Sequence, residues 1–305
     1  MIANNSKNHV YLSGLLPEKH PAFCRNLQDI FDENGITHSF IPNTKDIWCR
    51  DYMPIQNALG DFIQFNYNPS YLKSKTYAHT KTDVAMVLKN LHLRIFKSNI
   101  VLDGGNIVFA TNKVLMCDKI LKENPNIKKE ELIYRLRYLF RVNHVLFIPT
   151  PPDDIFGHAD GIVHLRDKST VLVSDLSEEY PQYWKELTDT LLKYKLKVIK
   201  VLCNTKNNRT TVDATGIYIN FLHVGKLILL PSYGLPEDKI VEDQFKLLYP
   251  KYKIQTIASN SIAKKGGVLN CVTWTIEKNY PHPLTIIERE LNGESLNYYR
   301  EPEEC

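Results

Sequence analysis

Residues 161–201 read "GIVHLRDKSTVLVSDLSEEYPQYWKELTDTLLKYKLKVIKV". Two short apolar runs, "GIVHL" and "STVLVS", have the length and branched side chains of strands. An amphipathic helical stretch follows, "SEEYPQYWKELTDTLLKY", and a further apolar run, "LKVIKVL", completes the unit. The order is strand, strand, helix, strand, and it returns elsewhere. "HVYLSG" precedes the helical "EKHPAFCRNLQDIFDENG", whose Gly35 suits a helix C-cap, and "THSFIP" comes after it. "NIKKEELIYRLRYLFRVN" leads into "HVLFIP", while "KLILLP" and "PEDKIVEDQFKLLYP" lead into "YKIQTIA". No Pro/Gly/Ser-rich linker or charge block interrupts the rhythm, which predicts a single domain over residues 1–305 made of repeated α/β units. The tail, "IERELNGESLNYYREPEEC", is polar and expected on the surface, which makes Cys305 a poor catalytic candidate.

Composition removes several function classes. At 43% hydrophobic and 24% charged, the chain has the make-up of an ordinary globular protein, and no run approaches the ~20 apolar residues of a membrane span. The net charge is +4, from 38 basic and 34 acidic residues, and apart from lysine-rich helical faces the basic residues are scattered. Nucleic acid is therefore not an expected partner. Cys24, Cys49, Cys117, Cys203, Cys271 and Cys305 are far apart, with no CxxC and no Cys/His pair at metal-ligand spacing, so neither a disulfide framework nor a metal is expected. Without a phosphate-cradling GxxxxGK[ST] or GxGxxG loop, no nucleotide cofactor is expected either. The opening residues show no basic segment followed by a long apolar core, and the expected location is cytoplasmic.

Four stretches resemble neither plain core nor plain loop: "IWCRDYMP" with Asp51, "VLDGGNIV" with Asp103, "DDIFGHADGIVHL" with His158 and Asp160, and "GGVLNCVTW" with Cys271. Each borders a strand beside glycine or proline, where loops on a rigid scaffold present side chains. Each also has a bland reading. Arg50 and Asp51 would serve as a salt bridge, Gly104 and Gly105 as a turn or bulge, His158 as a hydrogen-bonded core histidine, and Cys271 as a packed thiol. Their spacing argues for more. Asp51, Asp103 and His158 fall at nearly equal steps, and Cys271 lies about two such steps further on. The vacant position falls near "TTVDATGIYINF", around Asp213, so that equivalent loops of five units would converge on one axis.

These residues resemble the family of agmatine deiminases and Porphyromonas-type peptidyl-arginine deiminases. Trp48, Arg50 and Asp51 match its W-x-R-D, and Gly157, His158 and Asp160 match its G-H-x-D. Tyr218, Asn220 and Phe221 match its Y-x-N-F, and Cys271 follows a Gly-Gly strand as the family nucleophile does. The resemblance implies the pentein fold: a five-bladed α/β propeller of ββαβ units with pseudo-fivefold symmetry and a central active site. It also shows departures. Asp103 stands where the family has a Glu before Gly-Gly, Asn270 stands where agmatine deiminases usually have a His, and the family's N-terminal Trp-Pro stretch is not found.

The chemistry so implied is deimination. A guanidinium is a planar cation whose carbon is a weak electrophile until something fixes and polarises it, and carboxylates can accept paired N–H bonds from it. Asp51 and Asp160 are the candidate carboxylates, with the Trp48 indole available to stack on the plane. Cys271 is the candidate nucleophile, His158 the acid and base, and Asp103 the carboxylate that raises the histidine pKa. Arg50 and Asn220 are further candidates for substrate contact, and Asp154 and Asp213 are candidates to face an amine at the far end. The expected partner is a small cationic guanidino compound, agmatine first and free or peptidyl arginine second, while self-association into a homo-oligomer is left open. An amidinotransferase on the same fold and a non-catalytic binding propeller are the competing expectations.

Overall fold

The alternation of strand and helix folds into five three-stranded sheets set around a common centre. The structure is a computed structural model that describes residues 4–280 except 90, 111, 207, 209, 211 and 279, so the polar tail and Cys305 lie outside the described residues. The first sheet contains β1 (His9–Ser13) and β2 (Thr37–Ile41), and the second β3 (Ile55–Gln56), β4 (Phe62–Asn66) and β5 (Ile95–Val101). The third holds β6 (Val108–Ala110), β7 (Lys113–Cys117) and β8 (His144–Ile148), and the fourth β9 (Val163–Leu165), β10 (Thr170–Ser174) and β11 (Lys197–Val201). The fifth holds β12 (Leu222–Val224), β13 (Leu227–Ser232) and β14 (Lys253–Ala258). The last strand, β15 (Thr273–Ile276), then returns to the first sheet and pairs antiparallel with β1, from His9 opposite Ile276 to Leu12 opposite Thr273.

Every sheet has the same plan: its middle strand is antiparallel to one neighbour and parallel to the other. Parallel pairing requires a crossover. Helices α1 (Pro21–Glu33), α2 (Lys129–Phe140), α3 (Pro181–Lys193) and α4 (Glu237–Leu248) supply four of the five. On α3, Tyr183, Leu187 and Leu191 recur at helical spacing and are buried against a β10 whose every residue is buried. Full burial of such a side chain contributes about 1.5–3 kcal/mol relative to exposure. Helices of this length are marginal alone, so packing holds them in place. Gly35 takes φ +63° just past α1, as a helix-ending glycine should.

The second blade departs from the plan. Among the described residues between β4 and β5 the chain forms only the short turns Ser70–Lys73 and Ala78–Thr80 and a five-residue helix, Val84–Leu88. The assembly is the pentein propeller, and no described helix is long and apolar enough to cross a membrane. From one blade to the next the chain passes through a tight turn or bend immediately before β3, β6, β9, β12 and β15. Hydrogen bonds tie these turns to one another, from Gly105 N–H to Asp51, Asn270 Nδ2 to Asp160, and Cys271 N–H to Asn220.

Candidate active site

Cys271 lies in the single helical turn Leu269–Val272 that precedes β15. The backbone N–H groups of Asn270 and Cys271 donate to Asn220 Oδ1, at 3.1 and 3.3 Å, so the amide of the fifth blade's bend fixes the turn that carries the thiol. Gly267 is required by space. A Cβ there would come within 2.8 Å of the Trp48 ring and 3.1 Å of Cys271 Sγ. The thiol faces Asp160, with Sγ 3.7 Å from Oδ2, and the same oxygen accepts from Asn270 Nδ2 at 2.6 Å.

His158 is clamped between two carboxylates. Its Nε2 lies 3.0 Å from Asp103 Oδ2 and its Nδ1 3.7 Å from Asp51 Oδ1. Although Asp103 is one methylene shorter than the family glutamate, it reaches the ring because Gly104 and Gly105 let the backbone close in. A Cβ on Gly104 would collide with the Arg50 carbonyl, and one on Gly105 would sit 2.6 Å from His158 Nδ1 and 2.7 Å from Asp51 Oδ1. These glycines therefore form the turn Gly104–Asn106 and also provide close approach within it. Gly105→Ala should lower kcat by about 100-fold, the scale set by misplacing a catalytic group by about 1 Å. Steady-state kinetics with a parallel melting curve check this, and unchanged kcat would show that the contact is slack.

The electrostatics are lopsided, with Asp51, Asp103 and Asp160 buried around one imidazole. Burial pushes Asp51 up to about 7 against the pull of the His158 charge, and burial also raises Asp160. Burial opposes the charge on His158 too, yet Asp51 and Asp103 outweigh it and hold the imidazolium up to about 10. Burial, then Asp160 and Asp51, drives the Cys271 thiol well above its ordinary value. Asp103 Oδ1 and Asp160 Oδ1 are buried and find no hydrogen-bond partner among the described residues. Buried acceptors left open in this way cost free energy and call for a donor. A cation bearing several N–H groups meets that requirement.

Over this floor opens a cavity of about 680 Å³, lined at its base by Trp48, Asp51, His158 and Cys271. The sequence profile of the Porphyromonas-type peptidyl-arginine deiminase family matches residues 7–276. The chain belongs to this family. Solved structures that share the fold include the C. jejuni agmatine deiminase, at 18% identity and TM-score 0.77, covering 91% of this chain and 95% of that one. The agmatine deiminase of Enterococcus faecalis matches at 17% identity and TM-score 0.72, with coverage of 91% and 95%. A Pseudomonas aeruginosa dimethylarginine dimethylaminohydrolase matches at 10% identity and TM-score 0.54, with coverage of 88% and 99%.

Against the deiminase pattern, the structure gathers Cys271, His158, Asp51, Asp103, Asp160, Trp48 and Asn220 at the centre and sends three other candidates elsewhere. Arg50 points away from the cavity above Cys271. Its Nε and Nη2 donate to the Asn270 carbonyl and Oδ1, at 3.3 and 2.9 Å, because the turn it shares with Asp51 places the two side chains on opposite sides. Asp154 Oδ1 accepts from the N–H groups of Phe156 and Gly157, which shapes the loop entering His158, where Gly157 has φ +62°. Asp213 Oδ1 accepts from the Thr215 N–H and hydroxyl and is used up within its own turn. Neither acid lines the cavity. Besides Asp51, the acid in its lining is Asp46, together with the ring wall of Tyr67, Tyr71, Tyr77 and Phe156, none of which was singled out as a site residue. Tyr67 and Tyr71 come from the aromatic segment "FIQFNYNPSYL", which reads as core or pocket wall with core the simpler; Phe62, Ile63 and Phe65 are core, and Tyr67 and Tyr71 are wall.

Proposed function

We propose that this protein hydrolyses a guanidino group to a ureido group and ammonia, through a covalent intermediate on Cys271. The observation that carries the reading is the Cys271 thiol at the base of one cavity with Asp51 and His158, its Sγ 3.7 Å from Asp160 Oδ2. The guanidinium docks with its N–H groups on Asp51 and Asp160 and its plane against Trp48. Its positive charge offsets the carboxylates that hold the thiol proton on, and as the cation settles that proton passes to solvent in the cavity. The thiolate attacks the guanidino carbon, and His158, held as the imidazolium, gives its proton to the departing ammonia. Neutral His158 then takes a proton from water, which adds to the thiouronium carbon. Collapse expels the sulfur and leaves the ureido product, and Asp103 keeps the imidazole oriented through both halves.

Agmatine is the first substrate on this reading. It is supported by the family, and by Asp46 at the cavity wall, whose pKa burial raises and an ammonium beside it would lower again. One observation favours a second reading, an acid-bearing guanidine such as free arginine. Lys19, His20 and Lys265 line the same mouth, and both lysines add to burial in lowering the His20 pKa, which places the three groups together. Ammonia release and product mass with agmatine, arginine and an arginyl peptide separate the two. Agmatine should lead by at least about tenfold in kcat/KM, the worth of one 1.4 kcal/mol contact. If arginine leads, the lysines and not Asp46 set the choice, and silence on all three overturns the deiminase reading for these substrates.

A further inference from the structure

The ring wall of the guanidino cavity comes from two blades. Tyr67, Tyr71 and Tyr77 belong to the crossover of the second, and Phe156 to the loop that enters His158. Tyr71 meets Phe156 and His158 edge-on, with ring centroids 5.0 and 6.3 Å apart, and Tyr77 meets Phe156 at 5.7 Å. The turns that carry these tyrosines bury little of themselves. Leu72 is the buried residue of Ser70–Lys73, and Ala78–Thr80 has none. A polar tie secures them instead, and it starts on the short helix Lys119–Glu123, between β7 and β8. Glu123 Oε1 accepts from the Ser70 N–H at 3.0 Å and from its hydroxyl at 2.6 Å, and Oε2 accepts from the same N–H at 3.1 Å. One turn back, Lys119 Nζ lies 3.3 Å from Glu123 Oε1, donates to the Phe156 carbonyl at 2.8 Å and stands 5.0 Å from the centre of the Tyr71 ring. Its stem runs so close to Gly157 that a Cβ there would come within 2.5 Å of Lys119 Cδ. Both side chains are mostly covered, at 13% and 12% exposure. Burial opposes the Glu123 charge, yet the Ser70 hydroxyl and N–H, with Lys119, outweigh it and hold the carboxyl below its ordinary value. Hydrogen bonds to an ionised group are short and about twice as strong as neutral ones, so the tie holds its geometry.

We propose that Lys119 and Glu123 are positioning residues for the guanidino cavity, tying the tyrosine-bearing turns of the second blade to the loop of Phe156 and so setting the wall against which a substrate's chain packs. Neither is in the lining of that cavity, so both act through the rings they hold. The kinetic part of this inference rests on the deiminase reading, and the structural part does not.

Hydrogen exchange read by mass spectrometry on the full chain, over residues 66–82 and 154–158, needs no turnover. Glu123→Gln should speed exchange by about tenfold in both segments and leave α3 unchanged. Lys185→Gln, in an exposed pair of the same i,i+4 spacing, should alter neither segment. With agmatine, Glu123→Gln should raise KM by about tenfold and keep kcat within about twofold, because His158 retains its own clamp on Asp103 and Asp51. Lys119→Met, which keeps the stem without the charge, should do the same, and the double variant should be no worse than either single one, as for residues that act as a unit. Should Glu123→Gln fail to fold, Ser70→Ala, at an exposed position, removes the hydroxyl arm from the other side and should raise KM by a smaller factor with kcat kept. Faster exchange in 66–82 alone, an unchanged KM, or additive effects of the two substitutions overturns the proposal. If the unmodified protein leaves agmatine, arginine and an arginyl peptide untouched, the deiminase reading fails, and exchange in the two segments still decides the tie.

Discussion

Replacing Cys271 by Ser should lower kcat on a guanidino substrate by roughly 10⁴- to 10⁶-fold, the scale seen when a nucleophile is removed from a site whose parts act together. Serine is nearly isosteric, and both N–H bonds to Asn220 come from the backbone, so the turn and the cavity persist. What is lost is a proton that a docked cation can displace. The thiol is already driven up by burial and by Asp160 and Asp51, and the guanidinium charge has to bring it back down. A hydroxyl begins several units higher, beyond that reach. The variant should still bind substrate, and its intact mass should show no adduct in a quench that traps one on the unmodified protein. Residual turnover above a tenth would mean that sulfur is not the attacking atom.

Asp160→Asn should separate activity from stability. A charge-assisted contact truncated inside a buried site costs about 2–5 kcal/mol, so kcat/KM should fall roughly 30- to 5,000-fold. The melting temperature should hold or rise. Burial raises the Asp160 pKa above its unfolded value, so its contribution to stability is present at low pH and is lost as pH rises through the folded value. At neutral pH the carboxylate is therefore a burden on the native state, and the neutral amide relieves it while its carbonyl still accepts from Asn270. A fall in activity that merely tracks a fall in melting temperature would contradict this account.

Four of the five blades were readable from sequence because their crossovers are helices with an apolar stripe, as at Tyr183, Leu187 and Leu191. The second was not. Its crossover holds short turns and a five-residue helix between Ser70 and Leu88, and these give no 3.6-residue period to detect. The central acids, His158 and Cys271 were legible because charge or sulfur beside glycine at a strand end is conspicuous. Asn220 was legible only as part of a motif, and the spacing pointed instead to Asp213, since the fifth bend carries no charge and lies just before β12. The directions of Arg50 and Asp154 depend on which side of a turn each Cβ leaves, and spacing holds no record of that. Cys271 satisfies both of its readings, being buried at 7% exposure and also placed against Asp160.

The pairing of β15 with β1 also sets an order of events during synthesis. The turn that carries Cys271 is continuous with the strand that completes the first sheet, whose other strands were made more than two hundred residues earlier. Contacts so distant in sequence form late, because loop-closure entropy opposes them until the rest of the structure is in place. The blades can therefore gather their acids and histidine before the thiol arrives. Until β15 docks on β1, Asp160 lacks the Cys271 thiol beside it, and the centre is completed in one step, when the ring locks.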